Sequence, residues 1–146
     1  MKFANILQQP FTLPCGVTIP NRIVKSAMSE NNADKGGKPS ERILKLYKTW
    51  GEGGTGILIS GNVMMDSKAL NEARNVVVED ETYMRELKEW ANVSQKKGSH
   101  LWMQINHPGR QVYKKMGGKV YSPSDVSLDM GKLSDMFGDA KAMTKR

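Results

Sequence analysis

Apolar residues occur along the chain in two alternating patterns, compact runs and helical stripes. The compact runs lie within residues 22–28, 56–60 and 100–106. Between them, residues 40–53 and about 82–97 carry apolar side chains every three or four positions, which is the spacing of one helix face. This alternation of strands with helices predicts repeated β/α units joined into a parallel sheet.

Both helical stretches have recognisable ends. Ser40 is expected to cap the first helix, because its hydroxyl can accept a backbone N–H, and Gly53 is expected to end it. The apolar stripe of this helix consists of Ile43, Leu44, Leu46, Tyr47 and Trp50. The second helix is expected to stop at Gly98. Its expected buried stripe consists of Met84, Leu87, Trp90 and Ala91.

Segments outside these units add a hairpin and two polar stretches. Phe11–Leu13 and Val17–Ile19 flank Pro14-Cys15-Gly16, which predicts a β-hairpin because proline presets φ and glycine tolerates a positive φ. Residues 64–79 are expected to form a loop. From Arg110 onward the chain is rich in glycine, serine, lysine and aspartate and shows no clear fourth strand.

Two architectures contain β/α units of this kind, an open doubly wound sheet and a closed barrel. A GxGxxG sequence, the usual mark of a dinucleotide-binding open sheet, does not follow the first strand. Polar loops after all three strands favour a barrel with its site at their carboxyl ends. A barrel needs eight strands and roughly 250 residues. We therefore expect residues 1–146 to form the N-terminal part of one (β/α)8 TIM barrel domain that is incomplete in this chain.

Charge and composition change this picture little. The chain has a net charge of +7, but its longest runs of like charge are the pairs Lys96–Lys97 and Lys114–Lys115, with acidic residues interleaved. This mixed surface argues against nucleic-acid binding. No apolar run approaches the roughly 18 to 20 residues that span a membrane. A single cysteine rules out a disulfide framework and suits a cytoplasmic protein.

Unusual residues stand at the ends of the three strands. Small residues at 26–29 and at 60–62 would let a flat ligand approach the backbone. Gln104 carries an amide that both donates and accepts, which suits the edge of a heterocycle. Each feature alone has an ordinary structural explanation. His107 is expected to be a structural histidine, and Arg110 is expected to pair with a carboxylate or a loop carbonyl.

Three motifs in order carry more weight than any one of them. They are Pro-Asn-Arg-Ile-Val-Lys-Ser-Ala-Met-Ser-Glu at 20–30, Gly-Gly-Thr-Gly-Ile-Leu-Ile-Ser-Gly-Asn-Val at 53–63 and Gln-Ile-Asn-His-Pro-Gly-Arg-Gln at 104–111. Together they resemble the NADH:flavin oxidoreductase family, the Old Yellow Enzyme group that includes 2,4-dienoyl-CoA reductases. The resemblance implies a (β/α)8 barrel closed at its base by the hairpin, with FMN at its C-terminal mouth.

The resemblance also assigns flavin contacts residue by residue. Backbone groups of Ser26, Ala27 and Met28 would line the flavin. Ser29 would lie beside the flavin C4 carbonyl and N5, either Gly61 or Asn62 would lie at the second strand end, and Gln104 would bond the pyrimidine edge. No catalytic residue and no metal ligand is assigned within this chain.

The implied activity is the transfer of a hydride from NAD(P)H to FMN and on to an activated alkene or a similar small-molecule acceptor. In the family, the substrate-carbonyl pair, the proton donor and the phosphate-binding loops belong to later strands. Glu30-Asn31-Asn32 stands where some members carry an aromatic substrate residue, which leaves the acceptor open. The alternative is a truncated, non-catalytic fragment of such an enzyme. Self-association through exposed barrel edges is expected.

Overall fold

The computed structural model describes residues 6–144, so residues 1–5 and 145–146 of the expected domain lie outside the described residues. The helices are α1 (Glu41–Glu52) and α2 (Met84–Ser94), and short 3-10 turns occupy Lys96–Gly98, Lys114–Met116 and Gly131–Met136. The strands, in chain order, are β1 (Phe11–Thr12), β2 (Thr18–Ile19), β3 (Val24–Lys25), β4 (Ile57–Met64), β5 (Val76–Val77), β6 (His100–Asn106), β7 (Tyr121–Ser122) and β8 (Lys141–Ala142).

Strand β4 is the centre of the main sheet, and every strand that pairs with it runs parallel to it. Strand β6 lies along one edge of β4 from Ile57 to Met64. The other edge is shared, because β3 pairs with the start of β4 and β5 pairs with its end. The parallel sheet expected from the alternating pattern is therefore confirmed. The expected hairpin is present as the antiparallel pair β1–β2, turned at Gly16 with φ 87°.

Helix α1 has the ends that its sequence predicts. The Ile43 N–H donates to the Ser40 side chain at 3.3 Å, and the helix is capped at its C-terminus by Gly53. Helix α2 is shorter than expected. It begins at Met84, which is 37% exposed, so the prediction that Met84 is buried is wrong. Tyr83 at its N-cap offers no side-chain hydrogen bond, and the chain turns into the helix only after it.

The hydrophobic core lies between the sheet and the two helices. Leu58, Val63 and Val76 from the strands pack with Tyr47 and Trp90 from the helices. The Tyr47 and Trp90 rings meet edge to face, with centroids 5.0 Å apart. Aromatic pairs of this geometry add to the free energy gained by burial alone. The core therefore fixes both helices against one face of β4.

The strand boundaries differ from the sequence-based prediction at the end that concerns the site. Only Val24–Lys25 of the expected run 22–28 pairs as a strand. Strand β4 continues to Met64, so Ser60–Asn62 lies inside the strand rather than at its end. The pairing of β3 ends at Lys25 because the ammonium of that residue donates to the carbonyl of Ile59, the next residue of β4, at 2.8 Å.

The segment after residue 110 is compact but contains no long strand. The two-residue strands β7 and β8 pair in parallel, and the rings of Tyr113 and Phe137 stack with centroids 4.8 Å apart. Strand β5 is the one element in the expected loop 64–79 that the hydrophobic pattern did not indicate. None of the helices within residues 6–144 is long and apolar enough to cross a membrane.

Strand β6 is far less covered than β4. Ile57 and Leu58 are almost fully buried, whereas Met103 is 39% and Ile105 is 68% exposed. Among residues 6–144, β6 pairs with β4 alone, so its outer edge has no strand partner. An unpaired edge beside an apolar face favours association with another chain.

We expect the chain to self-associate through β6 at micromolar concentration. Ile105→Glu places a charge on this face and is expected to shift size-exclusion elution towards the monomer. Val126→Glu is the matched control, because Val126 is 58% exposed but lies outside the sheet. A monomeric parent chain with a sharp cooperative melt would contradict the expectation.

Candidate functional site

A β-bulge in β4 organises the site. Ile59 pairs with Trp102 and Asn62 pairs with Gln104, so two residues of β4, Ser60 and Gly61, lie opposite one residue of β6. The Gln104 N–H donates to the buried Ser60 hydroxyl at 2.9 Å, and that hydroxyl donates to the Gly61 carbonyl at 2.8 Å. The serine thus replaces a ladder hydrogen bond that the extra residue disrupts. It also fixes the backbone from which the Gln104 side chain extends.

The Gln104 amide is only half satisfied. Its Nε2 donates to Asn62 Oδ1 at 3.3 Å, which orients the amide plane. Its Oε1 is buried and accepts no hydrogen bond among the described residues. An unsatisfied buried acceptor costs about 1 to 3 kcal/mol. This oxygen is therefore suited to accept an N–H from a ligand.

The loop after β3 brings the first group of predicted residues to the same place. Residues 26–29 are exposed, and the Met28 carbonyl lies so close to Gly61 that a Cβ there would collide with it. The same Cβ would also meet the Glu30 carboxylate, so only glycine fits at position 61. Met28, Ser29, Gly61, Asn62 and Gln104 thus converge, although they come from three separate segments.

Ser29 has a partner that the sequence does not indicate. Its hydroxyl donates to Oε2 of Glu72, a residue in the loop between β4 and β5. Asn75 holds Glu72 in turn, since the Glu72 N–H donates to Asn75 Oδ1 at 2.9 Å and the Asn75 amide donates back at 3.4 Å. The only proton of the Ser29 hydroxyl is therefore committed to a carboxylate.

A buried polar network lies directly beneath this surface. The Tyr47 hydroxyl donates to Glu30 Oε1 at 2.6 Å and accepts the Gly61 N–H at 3.2 Å. The Lys25 ammonium lies 3.5 Å from Glu30 Oε1 and donates to the Ile59 carbonyl at 2.8 Å. The sequence does not indicate that Lys25, Glu30 and Tyr47 form one network, because Tyr47 has the spacing of an ordinary apolar position on a helix face.

Burial raises the pKa of the Tyr47 phenol well above its ordinary value, and the hydrogen bond to Glu30 and the charge of Glu30 raise it further. The hydrogen bond from the Gly61 backbone acts in the opposite direction but is the smallest of these influences. Tyr47 is consequently a neutral hydrogen-bond donor at the pH at which an ordinary phenol begins to ionise.

Two residues of the third motif have the structural roles expected of them. His107 Nδ1 accepts the Gly109 N–H at 3.1 Å, which closes the turn after β6. Arg110 donates to the carbonyl of Val126 at 3.3 Å. Neither belongs to the converging group around Gln104.

Solved structures define the fold class of the whole arrangement. The old yellow enzyme from Trypanosoma cruzi superposes with a TM-score of 0.81 at 17% identity, over 96% of this chain and 42% of that one. A 2-naphthoyl-CoA reductase superposes with a TM-score of 0.85 at 21% identity, over 96% of this chain and 23% of that one. The described strands and helices are thus part of a (β/α)8 barrel, and the open-sheet alternative is set aside.

Within that fold class, residues 6–146 match the NADH:flavin oxidoreductase / NADH oxidase family, and the chain belongs to it. The NADH-dependent flavin oxidoreductase iliE of Hypocrea jecorina is 37% identical over 131 residues, which are 84% of this chain and 33% of that protein. The NADH oxidase of Thermoanaerobacter brockii is 35% identical over 97 residues, 66% of this chain and 15% of that protein. The chain thus spans a third or less of the length of these relatives.

The raised pKa of Tyr47 gives a prediction for alkaline pH. The folded chain should show one phenolate fewer than the urea-unfolded chain when the ultraviolet absorbance is followed to about pH 11. Because the pKa of Tyr47 is higher in the folded than in the unfolded chain, its stabilising contribution is full below the ordinary pKa of 10.0 and is lost as pH rises above it. Tyr47→Phe should remove this difference. An equal phenolate count in the folded and unfolded chains would disprove the assignment.

Proposed function

We propose that this chain supplies three strands of an FMN-dependent oxidoreductase of the Old Yellow Enzyme type. The proposal depends on the Gln104 side chain, whose Oε1 is buried and accepts no hydrogen bond from residues 6–144, while its Nε2 donates to Asn62. A glutamine amide presents an acceptor and a donor side by side, which complements the N–H and C=O pattern along the pyrimidine edge of a flavin. Membership of the NADH:flavin oxidoreductase family supports the same cofactor.

The residues around Gln104 fit the flat face and edge of such a ring. Ser26, Ala27 and Met28 are exposed and follow a strand, so this segment is accessible to a ligand, with the Ser26 carbonyl held by Lys25 at 3.1 Å. Between the two residues left open by sequence, we assign Gly61 to the close approach of backbones and Asn62 to orienting Gln104. The proposed flavin contacts are Ser26, Ala27, Met28, Ser29 and Gln104, and Gly61 supports them through its contact with Met28.

The proposed role of Ser29 changes in one respect. A hydroxyl whose proton is held by Glu72 cannot also donate to the flavin C4 carbonyl, but its lone pairs can accept an N–H. Ser29 can donate to the ring only if Glu72 moves away from it. Glu72 therefore decides which hydrogen bond Ser29 makes.

The chemistry that a bound FMN supplies is the transfer of a hydride from NAD(P)H to an activated alkene or a similar small-molecule acceptor. The side chains described here bind and orient the ring, and we assign no proton donor among them. The loop after β3 carries Glu30-Asn31-Asn32, and Glu30 is turned into the protein against Tyr47 rather than towards an acceptor. We also propose a cytoplasmic location, which the exposed, unpaired Cys15 suits.

Flavin binding by the chain itself tests the proposal. FMN and riboflavin should both bind and with similar affinity, because the proposed contacts are to the ring and not to the phosphate. Gln104→Ala should weaken both about tenfold, through lost hydrogen bonds to the ring. Gln95→Ala is the matched control, since Gln95 is exposed at the end of α2. Flavin fluorescence titration measures each affinity, and equal affinities for the two variants would refute the assignment of Gln104.

We further expect the 146-residue chain to lack NADH-dependent alkene reductase activity. Its parallel sheet has four strands within residues 6–144, of which only β4 and β6 are long, whereas a complete barrel has eight. By the proposal, the chain contributes contacts to the flavin ring and no proton donor. Steady NADH oxidation with an enone, above the rate with free FMN and abolished by heating, would contradict this. The same measurement separates a catalytic chain from the non-catalytic fragment considered as the alternative.

A further inference from the structure

A buried ion pair lies against the proposed flavin contacts. The side chains of Lys25 and Glu30 are only 14% and 6% exposed, and their charged atoms lie 3.5 Å apart. The Lys25 ammonium also lies 4.8 Å from the centre of the Trp50 ring. Opposite charges that are shielded from water in this way act on their surroundings more strongly than surface charges do.

Lys25 and Glu30 are connected to the residues of the candidate site through the chain itself and through hydrogen bonds. Glu30 follows Ser29 directly in the chain, and its carboxylate contacts Gly61. Lys25 donates to the Ser26 carbonyl at 3.1 Å, so it holds the start of the exposed loop 26–29. The Tyr47 hydroxyl completes the connection, because it bonds both Glu30 and the Gly61 N–H.

We propose that Lys25 and Glu30 are positioning residues of the flavin site, whose balanced charges beneath the ring set its relative affinity for oxidised and reduced flavin. This inference rests on the proposed function. Neither side chain is assigned a contact with the ring. In the unmodified chain they hold the backbone of Ser26, Ser29 and Gly61. When one of the two charges is removed, the electric field of the remaining charge acts on the ring.

Removal of the negative charge and removal of the positive charge should change the relative affinity for reduced and oxidised flavin in opposite directions. This separates an electrostatic role from a purely structural one. Reduction by dithionite at neutral pH adds two electrons and one proton to the flavin ring, so the ring gains one negative charge. Glu30→Gln leaves the lysine unbalanced and should favour the reduced ring. Lys25→Met leaves the carboxylate unbalanced and should favour the oxidised ring. Either substitution alone breaks the same ion pair.

The experiment measures the dissociation constants of oxidised FMN and of dithionite-reduced FMN for each variant of the full chain. The ratio of the oxidised to the reduced constant should rise about tenfold in Glu30→Gln and fall about tenfold in Lys25→Met, as expected for one buried charge near the ring. Tyr47→Phe removes the hydroxyl but no charge, so it should weaken both forms equally and leave the ratio unchanged.

Lys48→Met and Glu52→Gln provide matched controls. These residues form a pair on α1 at 3.8 Å, but their side chains are 53% and 54% exposed, so the same charge changes should not move the ratio. Circular dichroism melts establish that each variant is folded at the temperature of the titration. If Lys25→Met does not fold, the near-isosteric Glu30→Gln decides the sign alone.

The outcomes distinguish the two proposals. If the unmodified chain binds neither FMN nor riboflavin, the proposed function is wrong and this inference is wrong with it. If flavin binds but the ratio is unchanged in both charge variants, or moves in the same direction in both, the pair is merely structural and only this inference is overturned. Opposite shifts, absent in the exposed pair, support it.

Discussion

The Tyr47 hydroxyl is the interaction on which the rest of the structure depends. It accepts the Gly61 N–H and donates to Glu30, so one atom of α1 ties down both the bulge of β4 and the loop after β3. The ring that carries it is completely buried and meets Trp90 edge to face. Because the ring is fixed by packing and the hydroxyl by hydrogen bonds, the core positions the polar surface above it. The hydrophobic core and the candidate site are therefore one assembly.

Much of the fold follows from the sequence because its signals are local. Helix α1 has its cap at Ser40 and its end at Gly53, and the run 100–106 forms β6 as its apolar content indicates. The errors occur where distant residues decide. The run 22–28 ends its pairing at Lys25 because the ammonium of that residue takes the carbonyl of Ile59, the next residue of β4. Strand β5 is only two residues long and is defined by its pairing with the distant end of β4.

The sequence indicates which motifs contribute residues to the candidate site, but it does not indicate the hydrogen-bond partners of those residues. Ser29, Gly61 and Gln104 stand out because small or amide residues are unusual at strand ends, and the structure brings them together. Glu72 could not have been found in this way, since it bonds Ser29 across 43 positions of the chain from within a polar loop. Lys25 and Glu30 were visible inside a motif, but nothing in the sequence shows that one tyrosine hydroxyl connects them to Gly61.

The bulge in β4 determines which side chains of the strand face the core. Leu58 and Val63 both pack in the core although they are five positions apart, an odd spacing that regular alternation would place on opposite faces. The extra residue in the Ser60–Gly61 bulge makes this spacing possible and keeps Asn62 opposite Gln104. Loss of one of the two residues would restore regular alternation without changing that pairing, so the register of the sheet would survive. The polar contacts would not, because Ser60 accepts the Gln104 N–H and Gly61 donates to Tyr47. A relative with a shortened strand should therefore keep the sheet and lose the hydrogen bonds beneath the candidate site.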